Sequence, residues 1–177
     1  MSDAVNITEE EMPILRPIPF KPREDHRHWR FMEDWVYGKV SQLPERWSTF
    51  GQSIFIPKGK VINGASIPKI FTNVFSSTGI LFIGACIHDP GYEDAGLNFI
   101  NSSGDKSFFP LVRSQMDDLF ADVSQLHYPE HHTAIELAER NLELFGGGAW
   151  DDCRKKDGTY IPPVDHSAAY DKEWNQS

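Results

Sequence analysis

Residues 80–92 read Ile-Leu-Phe-Ile-Gly-Ala-Cys-Ile-His-Asp-Pro-Gly-Tyr, so a long apolar run leads directly into ionisable side chains. Residues 80–87 are apolar on every side, which predicts a buried helix, although periodicity alone does not separate it from a buried strand. His88 and Asp89 follow, and Tyr92 lies one turn after His88 if the helix continues. A histidine and a carboxylate at the end of a buried element are typical of general-base or metal chemistry.

Two later segments carry helical spacing. Residues 111–123 are predicted to form an amphipathic helix because apolar side chains recur at Val112, Met116, Leu119, Phe120 and Val123. At about 100° per residue, Asp117 borders this apolar stripe, so we expect its carboxylate to reach inward. A last helix is indicated by the apolar positions Ile135, Ala138, Leu142 and Phe145. The three glycines at 146–148 are predicted to end that helix.

The N-terminal half carries strand patterns. Aromatic and polar side chains alternate from Trp29 to Tyr37, which predicts one strand, and residues 53–57 predict a second one closed by a turn at 57–59. Composition indicates a loop at 98–106, and residues 66–75 are predicted as a short helix. Strands come first and helices afterwards, which favours an α+β domain. We expect a small antiparallel sheet or hairpin followed by a bundle of about three helices.

Three regions are predicted along the chain. Residues 1–27 form an extended proline-rich arm, since Pro13, Pro17, Pro19 and Pro22 each remove an amide donor. The apolar part of the arm either lies across a partner surface or belongs to a floppy terminus. Residues 28–150 are predicted to form a single α+β domain, and residues 151–177 a polar C-terminal tail.

The net charge of the chain indicates which kinds of partner to expect. The formal net charge is −9 and the sequence pI is about 5.2, so the protein repels phosphate backbones and nucleic-acid binding is not expected. The basic residues 154–156 lie among aspartates and are predicted to form a solvated turn. The longest apolar run, about eight residues, is far shorter than the roughly 20 that span a bilayer. Without a visible secretory signal, synthesis in a reducing cytoplasm is expected.

The ionisable residues predict a specific site. Asp117 would accept the Nδ1–H of His88, the other imidazole nitrogen would take a proton from water, and Asp89 would bind a hard cation such as calcium. In the alternative, His88 and Asp89 cap a helix end and satisfy each other. Ser66 either presents its hydroxyl to an anion or is a plain N-cap. The histidines at 127, 131 and 132 match no strong zinc motif and are predicted to lie on the surface.

The order of several short motifs resembles the phage and prophage family catalogued as domain of unknown function 1353. The motifs are Ile56-Pro57-Lys58-Gly59, Asn63-Gly64-Ala65-Ser66-Ile67-Pro68, His88-Asp89-x-x-Tyr92, Asp117-x-Leu119-Phe120, and Phe145-Gly146 with Trp150. The resemblance covers about residues 28–150. It implies a bacteriophage or prophage gene and assigns no biochemistry.

The pair of helices is also similar to prokaryotic secreted phospholipases. That likeness implies His88 as base, Asp89 as calcium ligand, Asp117 as orienting carboxylate and Tyr92 as its support. The chain departs from those enzymes where Pro90 and Gly91 follow His88-Asp89, and where Asn63 stands in place of the more usual aspartate.

Two functions follow as hypotheses. In the first, the chain is a phage-encoded virion component of the tail or neck that contacts other virion proteins through its arm. It would then be made in the host cytoplasm and end in the virion. In the second, it is a calcium-dependent hydrolase that acts on lipid or cell-envelope ester bonds. A metal phosphohydrolase of the His-Asp type would need further histidines, and only His26 and His28 lie upstream.

Overall fold

The computed structural model describes residues 11–18, 28–39, 42–62 and 79–165. Within these ranges the α-helices are α1 Phe82–Asp94, α2 Arg113–His127 and α3 His132–Arg154, and short 3-10 helices lie at Glu45–Trp47 and Pro129–His131. The strands are β1 Leu15–Pro17, β2 Trp29–Phe31, β3 Trp35–Tyr37, β4 Ser53–Ile56, β5 Val61–Ile62, β6 Gly96–Ile100, β7 Lys106–Pro110, β8 Lys155–Lys156 and β9 Thr159–Tyr160. The α+β class is confirmed, with antiparallel sheets and three α-helices, although β6 and β7 lie between α1 and α2.

All described strand pairs are antiparallel. One sheet has the order β1-β2-β5, a second has the order β3-β4-β6-β7, and β8 pairs with β9 in a short hairpin. The arm contributes β1 as an edge strand, the position in a sheet where proline is tolerated.

The single strand predicted from Trp29 to Tyr37 is wrong, because the chain bends between β2 and β3 and enters two different sheets. The Asp34 carboxylate accepts the backbone N–H of Lys58 at 2.8 Å, which ties the bend to the neighbouring turn. Phe31 and Trp35 stack across the bend with ring centroids 5.6 Å apart. Phe31, Trp35 and Tyr37 are therefore all buried, although the strand pairing changes between them.

The loop predicted at 98–106 is wrong at both ends, since β6 runs to Ile100 and β7 begins at Lys106. The hairpin loop is confined to residues 101–105, where the Asn101 side chain accepts the N–H groups of Ser103 and Asp105. Asn98 is buried within β6, and its amide donates to Asp165 at 2.9 Å. A polar residue with a partner can occupy a strand, which composition alone does not reveal.

The helix predicted from the apolar run is confirmed as α1, and it continues through Pro90 to Asp94. Its chain then turns at Ala95, which has a left-handed φ of 52°. The helix predicted at 111–123 is confirmed as α2. The last helix does not stop at the glycines at 146–148, because α3 runs through them to Arg154.

The core lies where α1 packs against α2 on one side and against β5 and β6 on another, while α3 covers α2. Its largest buried apolar side chains include Phe31, Tyr37, Phe99, Ile54, Ile87, Met116 and Leu119. Cys86 is buried here as a free thiol. In the described part of the chain, none of the helices is both long and apolar enough to cross a membrane.

The prediction of a solvated turn at 154–156 is wrong for Arg154, which is 3% exposed. Helix α3 carries it to the C-terminal end of α1, where Nη2 donates to the carbonyl oxygens of Tyr92 and Glu93. The buried Lys60 ammonium reaches the Asp94 carboxylate at 2.7 Å and that of Glu93 at 3.0 Å. Two cations thus stabilise the end of α1, where carbonyl groups lack helical partners.

Candidate functional site

Helices α1 and α2 approach each other closely because glycines face α2 at two points. A Cβ atom at Gly84 would lie 2.5 Å from the Ser124 hydroxyl oxygen and 2.8 Å from the Phe120 carbonyl oxygen. Seven residues later, a Cβ at Gly91 would overlap the Met116 thioether. The contact residues run in opposite directions along the two helices, which are therefore antiparallel. His88 lies between the two glycines on the same face of α1.

At this crossing, His88 meets two carboxylates. Its Nε2–H donates to Oδ1 of Asp117 at 3.1 Å, and its Nδ1 faces Oδ1 of Asp89 at 3.7 Å. Asp117 was predicted to accept from Nδ1, which is wrong, because the ring presents its Nε2 to α2. The ring is 5.5 Å from that of Phe120, centroid to centroid, in an edge-on arrangement. Each ring nitrogen of His88 thus points toward a carboxylate oxygen.

Tyr92 joins the same carboxylate, because its hydroxyl donates to Oδ1 of Asp117. The tyrosine ring packs on the imidazole of His88 with centroids 4.0 Å apart, as expected for residues one turn apart. Burial raises the pKa of Tyr92, and the hydrogen bond to the Asp117 carboxylate raises it further. Tyr92 therefore acts as a hydrogen-bond donor in this contact.

The pKa of His88 results from opposing effects. Burial would lower the pKa of His88, but its hydrogen bonds to Asp117 and Asp89, with the charges of both carboxylates, raise it above the ordinary value. The residue is 6% exposed. A raised pKa favours the imidazolium, in which both nitrogens donate. Below that pKa, the site is an imidazolium held between two carboxylates.

Asp117 has unused hydrogen-bonding capacity. The residue is 1% exposed, and Oδ1 accepts from both His88 and Tyr92. Its second oxygen, Oδ2, is buried and has no hydrogen-bond partner among the residues that the structure describes. A buried carboxylate oxygen in this condition is costly unless a donor such as water reaches it.

Gly146 of α3 makes room for this site, a role that the sequence analysis missed. A Cβ atom at Gly146 would lie 2.8 Å from the Tyr92 hydroxyl oxygen. Arg113 lies close by, and its Nη1 donates to the carbonyl oxygens of Leu142 at 3.2 Å and Glu143 at 3.1 Å. Trp150 packs edge-on against Tyr92 with centroids 5.1 Å apart. The available signal was the run of three glycines at 146–148, directly after the apolar positions that predicted the helix.

Calcium takes six to eight oxygen ligands, roughly 2.3–2.6 Å away. Asp89 is half-buried and faces His88. In the residues with a described structure, no group of three His, Cys, Asp or Glu side chains is placed to hold a metal ion. The role of Asp89 as a calcium ligand therefore stays a prediction.

The remaining predicted positions divide into two groups. Asn63, Ser66 and the helix predicted at 66–75 lie outside the described residues. His131 and His132 are exposed as predicted, but the surface position predicted for His127 is wrong. His127 is 5% exposed, and its Nε2 lies 2.9 Å from the Tyr37 hydroxyl.

Comparison with known proteins identifies one relationship. The model of a family described as protein of unknown function, DUF1353, matches residues 29–128, which is more than half of the 177-residue chain. No curated protein and no solved structure matches the chain. The matched segment runs from β2 through α2 and contains His88, Asp89, Tyr92 and Asp117. The chain therefore belongs to the DUF1353 family.

Proposed function

We propose that this chain is a bacteriophage or prophage protein that is built into the virion, in the tail or neck. The proposal rests on apolar side chains of the arm and of α3 that are exposed to solvent in the single chain. Exposed apolar patches mark surfaces that other proteins cover. The phage origin rests on the motif resemblance described above.

The arm presents its apolar side chains from an ordered edge. The Ile14 carbonyl accepts the Met32 N–H at 2.9 Å, and the Trp35 indole donates to the Glu11 carbonyl at 2.7 Å. Leu15 packs against the core of its own chain, whereas Ile14 is 57% and Met12 39% exposed. Phe20 lies outside the described residues. Exposed apolar side chains on an anchored segment directly before the edge strand β1 suit attachment to a neighbouring protein.

Helix α3 offers a second apolar surface. Leu137 and Leu144 are seven residues apart, on one face, and are 43% and 74% exposed. Phe145 beside them is 67% exposed. The opposite face of α3 covers α2 through Ile135, which is 2% exposed. Both faces of this helix therefore carry apolar side chains, which favours a second contact partner.

The burial of His88 and the carboxylates around it also support a structural role. A general base needs an unprotonated nitrogen that reaches water. Both nitrogens of His88 instead face carboxylates, and the residue is 6% exposed. The contact stabilises the crossing of α1 and α2 without requiring turnover.

The test uses particles released after induction of a bacterium that carries the gene. We expect the purified particles to contain the chain at a fixed ratio to a tail protein, and particles from a deletion strain to lack complete tails or necks. Ile14→Asp and Leu144→Glu should lower incorporation, while Asp152→Ser, an exposed polar change on α3, should not. Complete particles without the chain would contradict the virion role.

A second candidate function is ester hydrolysis, and the direct contact of His88 with Asp117 and Tyr92 favours it. Once the imidazolium loses a proton, Nδ1 can accept one from water that attacks an ester carbonyl. Asp117 meanwhile holds Nε2–H and thereby fixes the tautomer. Because the pKa of His88 is raised, this activity would grow as the pH rises through that pKa.

The hydrolase is tested with a short-chain p-nitrophenyl ester and with phosphatidylcholine vesicles, each with added calcium or with a chelator. We expect His88→Gln to abolish turnover and His131→Gln, at an exposed histidine, to leave it unchanged. Equal rates for wild type and His88→Gln would rule out hydrolysis at this site. Loss of activity with chelator would assign a metal to it.

A further inference from the structure

A groove lies where the start of α2 meets the end of α3, about 500 Å³ in volume. Small-molecule sites commonly occupy roughly 300–1,000 Å³. Its principal lining residues are Leu111, Val112, Arg113, Trp150, Tyr160 and Pro163. His88 and Asp117 do not line the groove, which lies beside the buried site because Arg113 and Trp150 also adjoin Tyr92.

Arg113 supplies the charge of this groove. Two carbonyl oxygens of α3 hold its Nη1 in place, so the guanidinium is already oriented. Among the described carboxylates, none lies within ion-pair distance of Arg113. The whole chain carries a formal charge of −9, yet among the described residues this cation at the wall of the groove has no salt-bridge partner. An anionic ligand would supply the missing charge with two parallel hydrogen bonds.

The other walls are apolar and partly exposed. Val112 is 60% exposed and Tyr160 is 61% exposed, although both are large apolar residues. Trp150 is half-buried between the groove and Tyr92. Apolar side chains around one oriented polar group are the usual composition of a ligand site.

We propose that this groove binds an anionic amphiphile, a small molecule with a carboxylate head and an aliphatic body. The head pairs with the Arg113 guanidinium, and the body covers Leu111, Val112 and Trp150. The inference does not depend on the virion role, since it concerns a different surface from Ile14 and Leu144.

The probe is octanoate, measured by titration calorimetry against the full chain, with octanol and octylammonium as matched ligands. We expect saturable binding of octanoate and at least about tenfold weaker binding of octanol and octylammonium. A tenfold difference in affinity corresponds to roughly 1.4 kcal/mol, which one charged hydrogen-bonded pair can supply. Lack of saturation, or equal affinity for octanoate and octylammonium, would overturn the proposal.

Two variants separate binding from folding. Arg113→Gln should weaken the binding of octanoate at least about tenfold. Arg113→Lys should have an intermediate effect, because lysine keeps the positive charge but lacks the parallel N–H donors of the guanidinium. Val112→Glu changes an exposed rim position and adds a repelling carboxylate, so it should weaken octanoate even if Arg113→Gln fails to fold. Leu137→Glu, at an exposed apolar position outside the groove, is the control. Equal weakening by Leu137→Glu and Val112→Glu would contradict this location.

Discussion

Gly146 of α3 stands over the Tyr92 hydroxyl, and a Cβ atom at that glycine would lie 2.8 Å from the hydroxyl oxygen. Two positions along the same helix, a Cβ at Gly148 would meet nothing within 4 Å. The two glycines therefore serve different purposes in one helix.

This contrast predicts opposite effects of alanine. Gly148→Ala should stabilise the protein by about 0.5–1 kcal/mol, because glycine in a helix costs conformational entropy. Gly146→Ala should destabilise it by about 1–3 kcal/mol, because the added methyl group displaces Tyr92. Urea denaturation measures both. The defect of Gly146→Ala should shrink when combined with Tyr92→Phe, and full additivity would mean that the methyl group does not meet the hydroxyl.

The glycine at the helix crossing gives a second prediction. Gly84→Ala should destabilise the protein by about 1–3 kcal/mol, since backbone as well as side-chain atoms of α2 lie where its methyl group would go. The pushed-apart helices should also lengthen the contact between His88 and Asp117. The imidazole nitrogen signals of His88 in NMR spectra report this, and unchanged signals would show that the crossing tolerates the methyl group.

Asp117→Ala should cost about 3–5 kcal/mol at a pH where His88 is protonated, because it leaves a buried cation without its main partner. Tyr92→Phe should cost less, about 1.5–3 kcal/mol, since it removes one hydrogen bond to a charged group. Chemical denaturation at one pH compares the two. If Tyr92→Phe lowered the free energy of unfolding more than Asp117→Ala does, Asp117 would not be the central residue of this contact.

The raised pKa of His88 predicts a pH dependence of stability. The folded pKa exceeds the unfolded value of about 6.5, so the stabilisation is complete below that value and is lost as the pH rises through the folded pKa. The free energy of unfolding should fall there with a slope of at most about 1.4 kcal/mol per pH unit. His88→Gln should flatten this slope, whereas His132→Gln, at an exposed position, should not. An unchanged slope in His88→Gln would assign the effect to another group.

Periodicity was enough to predict that His88, Tyr92 and Asp117 would meet, because their spacing places them on the inner faces of two buried helices. The nitrogen that His88 presents to Asp117 depends on the rotation of its ring, which no spacing encodes. Arg154 was misassigned because its neighbours are charged, whereas its burial depends on α3 continuing for two turns past three glycines. The bend between β2 and β3 likewise depends on Asp34 reaching Lys58, a contact between distant parts of the chain.

The contacts of α3 determine which fragment of the chain can fold. The family match ends at residue 128, yet Gly146, Trp150 and Arg154 complete the surroundings of Tyr92 and the end of α1. A fragment cut at the limits of the match would expose Phe120 and Ala121, which pack with Ile135. We therefore expect the smallest fragment that folds by itself to reach at least to Arg154, well beyond the segment that the family model matches.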